Sequence, residues 1–300
     1  MPILDAVRRL MRGLDRYGAR RPRGPAPQDI RPLGEEKSPM TVEPMRTLHV
    51  DRMPVLVLDS NEALGHRAAD DLAEILQAAI AARGLASAIL ATGNSQLRFM
   101  EALRVMPGIQ WDKVVVFHMD EYLGMSDQHP ASFPRYIREK LTDIVHPRSF
   151  FPIQGDAPDP QAELKRYAAL LQQYPADACV LGIGENGHLA FNDPPADFST
   201  DQVIHIVTLD ERCRMQQVGE GHFHTLGDVP RQAYSLTVPA LLAARRVLAV
   251  VPEARKAAAV QAALQGPVTP NCPASILRTR PHVTLYLDQE SSALLELSKA

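Results

Sequence analysis

Between residues 55 and 287, short apolar runs without polar interruption recur, and stretches with helical spacing separate them. A strand covered on one face alternates apolar and polar residues, whereas one covered on both faces stays apolar throughout. Runs of this kind fall at 55–58, 87–91, 113–118, 179–181, 205–209, 247–251 and 283–287. Helical periodicity occupies 63–82, 96–105, 132–145, 161–174 and 254–265. Asp59-Ser60-Asn61 supplies a helix-start signal ahead of the first of these. Alternating β and α elements predict an α/β fold: a Rossmann-like three-layer sandwich, its mostly parallel sheet flanked by helices on both faces.

Composition narrows the function classes. A net charge of -3 argues against a nucleic-acid partner, which would require a basic face. No apolar run approaches the roughly 18 residues of a membrane-spanning helix. The three cysteines, Cys179, Cys213 and Cys272, lie far apart and form no CxxC pair, so neither a disulfide framework nor a cysteine zinc site is expected. That pattern suits a reducing cytoplasm. Residues 1–45 differ from the rest: eight arginines between Arg8 and Arg31 overlap a Pro-rich stretch. Asp5, Asp15 and Asp29 dilute the charge, and no secretory apolar core is present, so 1–45 reads as a flexible extension and 46–300 as the functional domain.

Ligands of open α/β sheets bind beyond the carboxyl ends of the strands, which makes the residues after each run the informative ones. Thr92-Gly93-Asn94-Ser95 follows one run; it reads either as an anion-binding turn or as a tight turn with Ser95 as helix cap. Asp120-Glu121 follows another. A carboxylate at the mouth of a buried sheet is partly desolvated, which raises its pKa toward that of a general base; a helix cap or a solvent-facing pair is the alternative. Gly182, Gly184 and Gly187 match the dinucleotide pattern GxGxxG, and Asp210 falls where its acid would. Pro194-Pro195, however, interrupts the helix which that motif requires. What remains is a glycine-rich loop presenting His188, with Asp193 shortly after it to orient or charge the imidazole. Lys256 falls in a first helical turn, where the macrodipole disfavours cations unless an anion is near. Gly221-His222-Phe223-His224 has no further ligands at metal-binding spacing and reads as a solvent loop.

Met119-Asp120-Glu121-Tyr122 and the segment from Gly182 through Gly187-His188-Leu189-Ala190-Phe191-Asn192-Asp193-Pro194 resemble the glucosamine-6-phosphate deaminase family, which shares its fold with 6-phosphogluconolactonases. The resemblance implies conversion of an amino-sugar phosphate and water to fructose 6-phosphate and ammonia, without metal or organic cofactor. It implies Asp120 as the C2–C1 base and His188 as the ring-opening imidazole, flanked by Asp193 and Asn186. Thr92, Gly93, Asn94, Ser95 and Lys256 match its phosphate site. The sequence departs from the family pattern in its loop, Gly93-Asn94-Ser95-Gln96 where Gly-Gly-Thr-Pro is usual, and at Asp193, where Glu is usual, Asn186, where Asp is common, and Gln217, where a phosphate arginine falls. Arg278 or Arg280 is expected to supply the missing cation. The alternatives are another sugar-phosphate enzyme of this fold, a lactonase or an isomerase, and a non-catalytic sugar-phosphate sensor. The expected partner is a small sugar phosphate, with no nucleic acid and no membrane; a homo-oligomer is left open.

Overall fold

The computed structural model describes residues 42–219, 221 and 223–296. The expectation for 1–45 therefore falls mostly outside the described residues, as does His222. Among the described residues eleven strands run β1 Arg46–Val50, β2 Met53–Val57, β3 Ala86–Leu90, β4 Val114–His118, β5 Asp120–Tyr122, β6 Ser149–Phe151, β7 Ala178–Leu181, β8 Ile204–Thr208, β9 Gln232–Leu236, β10 Arg246–Val251 and β11 Val283–Leu287. The helices are α1 Asn61–Arg83, α2 Leu97–Arg104, α3 Phe133–Ile137, α4 Pro160–Gln173, α5 Glu211–Gly219, α6 Val238–Leu242 and α7 Ala257–Gln265. None of the described helices is long and apolar enough to cross a membrane.

Eight strands form the main sheet in the order β1-β2-β11-β10-β7-β3-β4-β6. All neighbours are parallel except the β1–β2 hairpin. The chain advances outward from β3 to β4 and, later, in the opposite direction from β7 to β10. β3 and β7 are nevertheless adjacent, so the sheet switches winding direction between them, and a crevice opens beyond their carboxyl ends.

The pleat divides each strand between two cores. Val247, Ala249 and Val251 of β10 join Tyr167 of α4, Leu241 of α6 and Val260 of α7 on one face. Leu248 and Val250 face the other way, toward Leu72 and Leu76 of α1 and Phe99 and Leu103 of α2. This two-sided cover is why the strands read as unbroken apolar runs. Ser60 caps α1 by accepting the Ala63 N–H at 3.2 Å, as Asp59-Ser60-Asn61 predicts.

Two expectations are corrected. The run at 205–209 does not join the parallel sheet: β8 pairs with β9, and β9 with β5, in a separate antiparallel three-stranded sheet. The partly exposed His205, Ile206 and Val207 reflect that peripheral position. The helix at 132–145 is not continuous; α3 widens into a turn of i→i+5 type over Arg138–Thr142 before a last turn at Asp143–Val145.

α1 meets α2 at very close range. A Cβ added to Gly65 would sit 2.7 Å from the Arg98 carbonyl carbon and 2.8 Å from the Phe99 nitrogen. Those are backbone atoms, so an added side chain must push α2, and the turn that precedes it, away from the sheet. Gly65→Ala should therefore destabilise the fold by about 1–3 kcal/mol despite its better helix propensity. A urea melt checks this; an unchanged or raised midpoint would show that the two helices part freely.

Candidate active site

The cleft lies where the topology places it, beyond the carboxyl ends of β4, β3, β7 and β10. Its mouth is open, and its walls include Thr92, Gly93, Ser95, Asp120, His188, Gln217 and Lys256. Each wall segment follows a different strand.

After β3, Asn94–Gln96 forms a single tight turn and α2 starts directly behind it. Neither the turn nor the helix has a side-chain cap, so Ser95 does not act as the helix cap. Within the turn the Gln96 N–H donates to the Gly93 carbonyl at 3.0 Å, and Thr92, Gly93 and Ser95 line the cleft at this helix end, where the macrodipole favours an anion. Gln96 is fully buried and donates through Nε2 to the Val250 carbonyl at 3.1 Å, tying this turn to β10. Asn94 points elsewhere, into an adjoining outer cavity that it shares with Cys213 and Arg255.

After β4 the chain bends at Met119 and enters β5. His118, buried and held neutral by that burial, accepts the Ile153 N–H at 2.8 Å and fixes the bend. Asp120 is buried at the cleft wall, and burial pushes its carboxyl up to about 7. Glu121 points to the opposite side of β5. Its carboxylate accepts from the Ser132 hydroxyl at 2.7 Å, the Phe133 N–H at 3.1 Å and the Tyr122 N–H at 2.7 Å. Burial raises it to about 8 even so. The two acids thus divide the readings open in the sequence: Asp120 faces the cleft, and Glu121 anchors the start of α3.

After β7 the glycine loop carries His188. A Cβ on Gly184 would lie 2.2–2.4 Å from three atoms of the His188 ring, so only glycine leaves room for the imidazole there. Nδ1 of His188 lies 3.3 Å from Oδ1 of Asp193, close but out of line for a hydrogen bond. Asn186 bridges the two residues: its Nδ2 donates to Asp193 at 3.0 Å and its Oδ1 accepts the backbone N–H of His188 at 3.0 Å. Burial opposes ionisation of Asp193, yet the His188 ring, the Asn186 amide and the Asp210 N–H hold its carboxyl below the usual range. A residue not foreseen from sequence secures this loop. Ser235 of β9 accepts the Phe191 N–H at 3.1 Å and an Asn192 amide hydrogen at 3.3 Å.

After β10, Glu253 adopts a left-handed backbone (φ 82°) without being glycine. Such strain persists only where its surroundings over-determine it; here the Glu253 N–H is held by Asp288 at 3.0 Å. The turn that follows buries Lys256 in the cleft wall. Gln217 of α5 also reaches the cleft, accepting the Tyr122 hydroxyl at 2.8 Å.

Arg278 is the correction. It pairs with Asp51 at 2.9 Å, and its backbone carbonyl accepts the Arg52 N–H at 3.0 Å. Asp51 and Arg52 form the turn that enters β2, at the amino end of the sheet and away from the cleft. The same guanidinium donates to the Leu264 carbonyl at the end of α7. Its charge is committed to capping a helix and holding a hairpin. Arg280 is exposed and likewise absent from the cleft wall.

Burial of the acid pair sets a pH dependence. Asp120 and Glu121 keep their protons in the folded chain up to about 7 and about 8, against ordinary values of 3.8 and 4.5. Their stabilisation is complete below the ordinary values and drains away as pH rises through the folded ones. Asp120→Asn should thus match the wild type in acid and exceed its stability above neutrality. Thermal melts across pH test this; a variant that melts lower in alkali would show that the ionised carboxylate is itself stabilised.

Residues 59–286 match the family model of glucosamine-6-phosphate isomerases/6-phosphogluconolactonase. A glucosamine-6-phosphate deaminase of Exiguobacterium sibiricum is 38% identical over 207 residues, 69% of this chain and 80% of that one. One from Listeria monocytogenes is 34% identical over 241 residues, 80% of this chain and 99% of that one. A solved monomeric glucosamine-6-phosphate deaminase superposes with TM-score 0.74 at 28% identity, covering 80% of this chain and 99% of that one. A 6-phosphogluconolactonase from Shewanella baltica shares the fold, with TM-score 0.67 at 21% identity over 80% of this chain and all of that one (100%). The chain belongs to the glucosamine-6-phosphate isomerase/6-phosphogluconolactonase family.

Proposed function

We propose that this protein is an isomerising deaminase that converts glucosamine 6-phosphate and water to fructose 6-phosphate and ammonia. The observation that carries the reading is a buried carboxylate, Asp120, with its pKa raised to about 7, on the same cleft as an imidazole and a buried lysine. Lactone hydrolysis needs an activated water but no base at C2. A carboxylate poised to exchange protons near neutrality suits C2–H abstraction.

The C2–H of an aldose becomes acidic only when the ring is open. His188 gives a proton to the ring oxygen and takes the one on the C1 hydroxyl, with Asp193 3.3 Å from its Nδ1 and Asn186 holding both Asp193 and the His188 backbone. Asp120 removes the C2 proton, forming an enolamine, and returns it to C1. The C2 imine adds water and expels ammonia. Each general acid–base step is worth about 10²–10⁴-fold. The remainder comes from positioning, with the phosphate held by Lys256 and the N–H groups of the turn at Gly93–Ser95. Gln217 brings an amide and no charge to the cleft wall, so Lys256 is the cation assigned to the phosphate there. Free Cys179, Cys213 and Cys272 fit a reducing cytoplasm.

Purified protein should release ammonia from glucosamine 6-phosphate and exchange the C2 proton with solvent. Asp120→Asn should lose both while still binding the sugar phosphate. In the wild type, kcat/KM should rise with pH to a plateau above about 7, the deprotonation of the base. Full exchange in Asp120→Asn would remove that residue from the role. Lys256→Ala should raise KM by tenfold or more (about 1.4 kcal/mol per decade), whereas Arg278→Gln should leave KM unchanged and lower only stability. A KM effect of Arg278→Gln in steady-state kinetics would return that arginine to the site.

A further inference from the structure

Behind the cleft-facing imidazole lies a second set of donors. A ring nitrogen of His188, a carboxylate oxygen of Asp193 and Sγ of Cys213 all lie within 4.8 Å of one another, with Nδ1 of His188 3.3 Å from Asp193. His188 Nδ1 is buried and has no hydrogen-bond partner. Buried polar atoms seldom stay unpaired, and one that does asks for an explanation such as an ion. Cys213 reaches the cluster from the first turns of α5, where the Asp210 carboxylate accepts its N–H.

The adjoining outer cavity, lined by Asn94, Asn186, Cys213 and Gln216, offers a route in that does not cross the substrate cleft.

We propose that His188, Asp193 and Cys213 form a binding site for a thiophilic divalent cation, of which Zn²⁺ is the type. One nitrogen, one sulfur and one oxygen donor match a three-ligand zinc shell with an open fourth position. Magnesium and calcium, which demand oxygen donors, do not fit it. Zinc–ligand bonds of about 2.0–2.3 Å bring the donors closer than they stand now, a shift within reach of side-chain rotation. On binding, a Zn–S bond forms, the S–H bond breaks and the proton passes to solvent. The cation occupies Nδ1 and neutralises Asp193, so it blocks the proton exchange assigned to His188. This inhibitory consequence rests on the proposed function; binding itself does not.

The test uses the full-length chain, freed of metal by a chelator and titrated with Co²⁺ as a spectroscopic probe. One equivalent should bind with a thiolate-to-cobalt charge-transfer band, displaced by Zn²⁺ but not by Mg²⁺. Cys213→Ala should lose the band and bind at least tenfold more weakly, beyond the roughly tenfold cost of losing even an outer partner of a metal ligand. Cys213→Ser, close to the native size, guards against misfolding in the alanine variant and should lose the band as well. Ammonia release should fall in step with Zn²⁺ occupancy in the wild type and resist Zn²⁺ in the variants, which keep basal turnover. Absence of a band in the wild type, or its survival in Cys213→Ser, overturns the site. If the wild type releases no ammonia at all, the cobalt titration alone decides, so failure of the deaminase reading and failure of the metal site remain distinguishable.

Discussion

The site depends on the parallel pairing of β3 with β7, from Ala88 against Ala178 to Leu90 against Val180. These strands are far apart in sequence and carry the two loops that matter most, the uncapped turn at Asn94–Gln96 and the glycine loop of His188. Because the chain winds away from this pair in both directions, no connection covers their carboxyl ends. An open floor with backbone N–H groups on one side and an imidazole on the other follows from topology before any side chain is chosen.

Much of this architecture is legible in the sequence, for a physical reason. Strands buried on both faces have no polar positions to confuse their reading, and ligands gather where such strands end; Asp120, His188 and Lys256 all stand at those ends. The second sheet is less legible. β5 is three residues long and opens with two acids, and β9 includes a serine and a glutamine. Their pairing is set by tertiary contact with the loop of His188, and no local periodicity announces it. Arg278 was misplaced because a cation gap in one segment says nothing about which end of the sheet another segment reaches. Cys213 carried no signal, since its partners Asp193 and His188 meet it only in the folded chain.

The two acids at positions 120 and 121 show how a pleat sorts function. They share a strand and a buried environment, and both resist ionisation. Glu121 is surrounded by donors that hold it as an anchor for α3, while Asp120 is left to the cleft. Identical chemistry on consecutive residues is thus divided into a structural task and a reactive one by the alternation of the backbone alone.

Ser235 joins two parts of the site that the sequence keeps 68 residues apart, Asp120 and His188. Its backbone is the register partner of Asp120, and its hydroxyl holds the loop just beyond the imidazole. The separation between the proton acceptor and the imidazole is thereby quantised: it is measured in ladder positions, and a slip of one residue would turn Ser235 to the opposite face. Gradual drift of one group relative to the other is suppressed, and an evolving member of this fold can retune either residue's acidity without losing the distance between them.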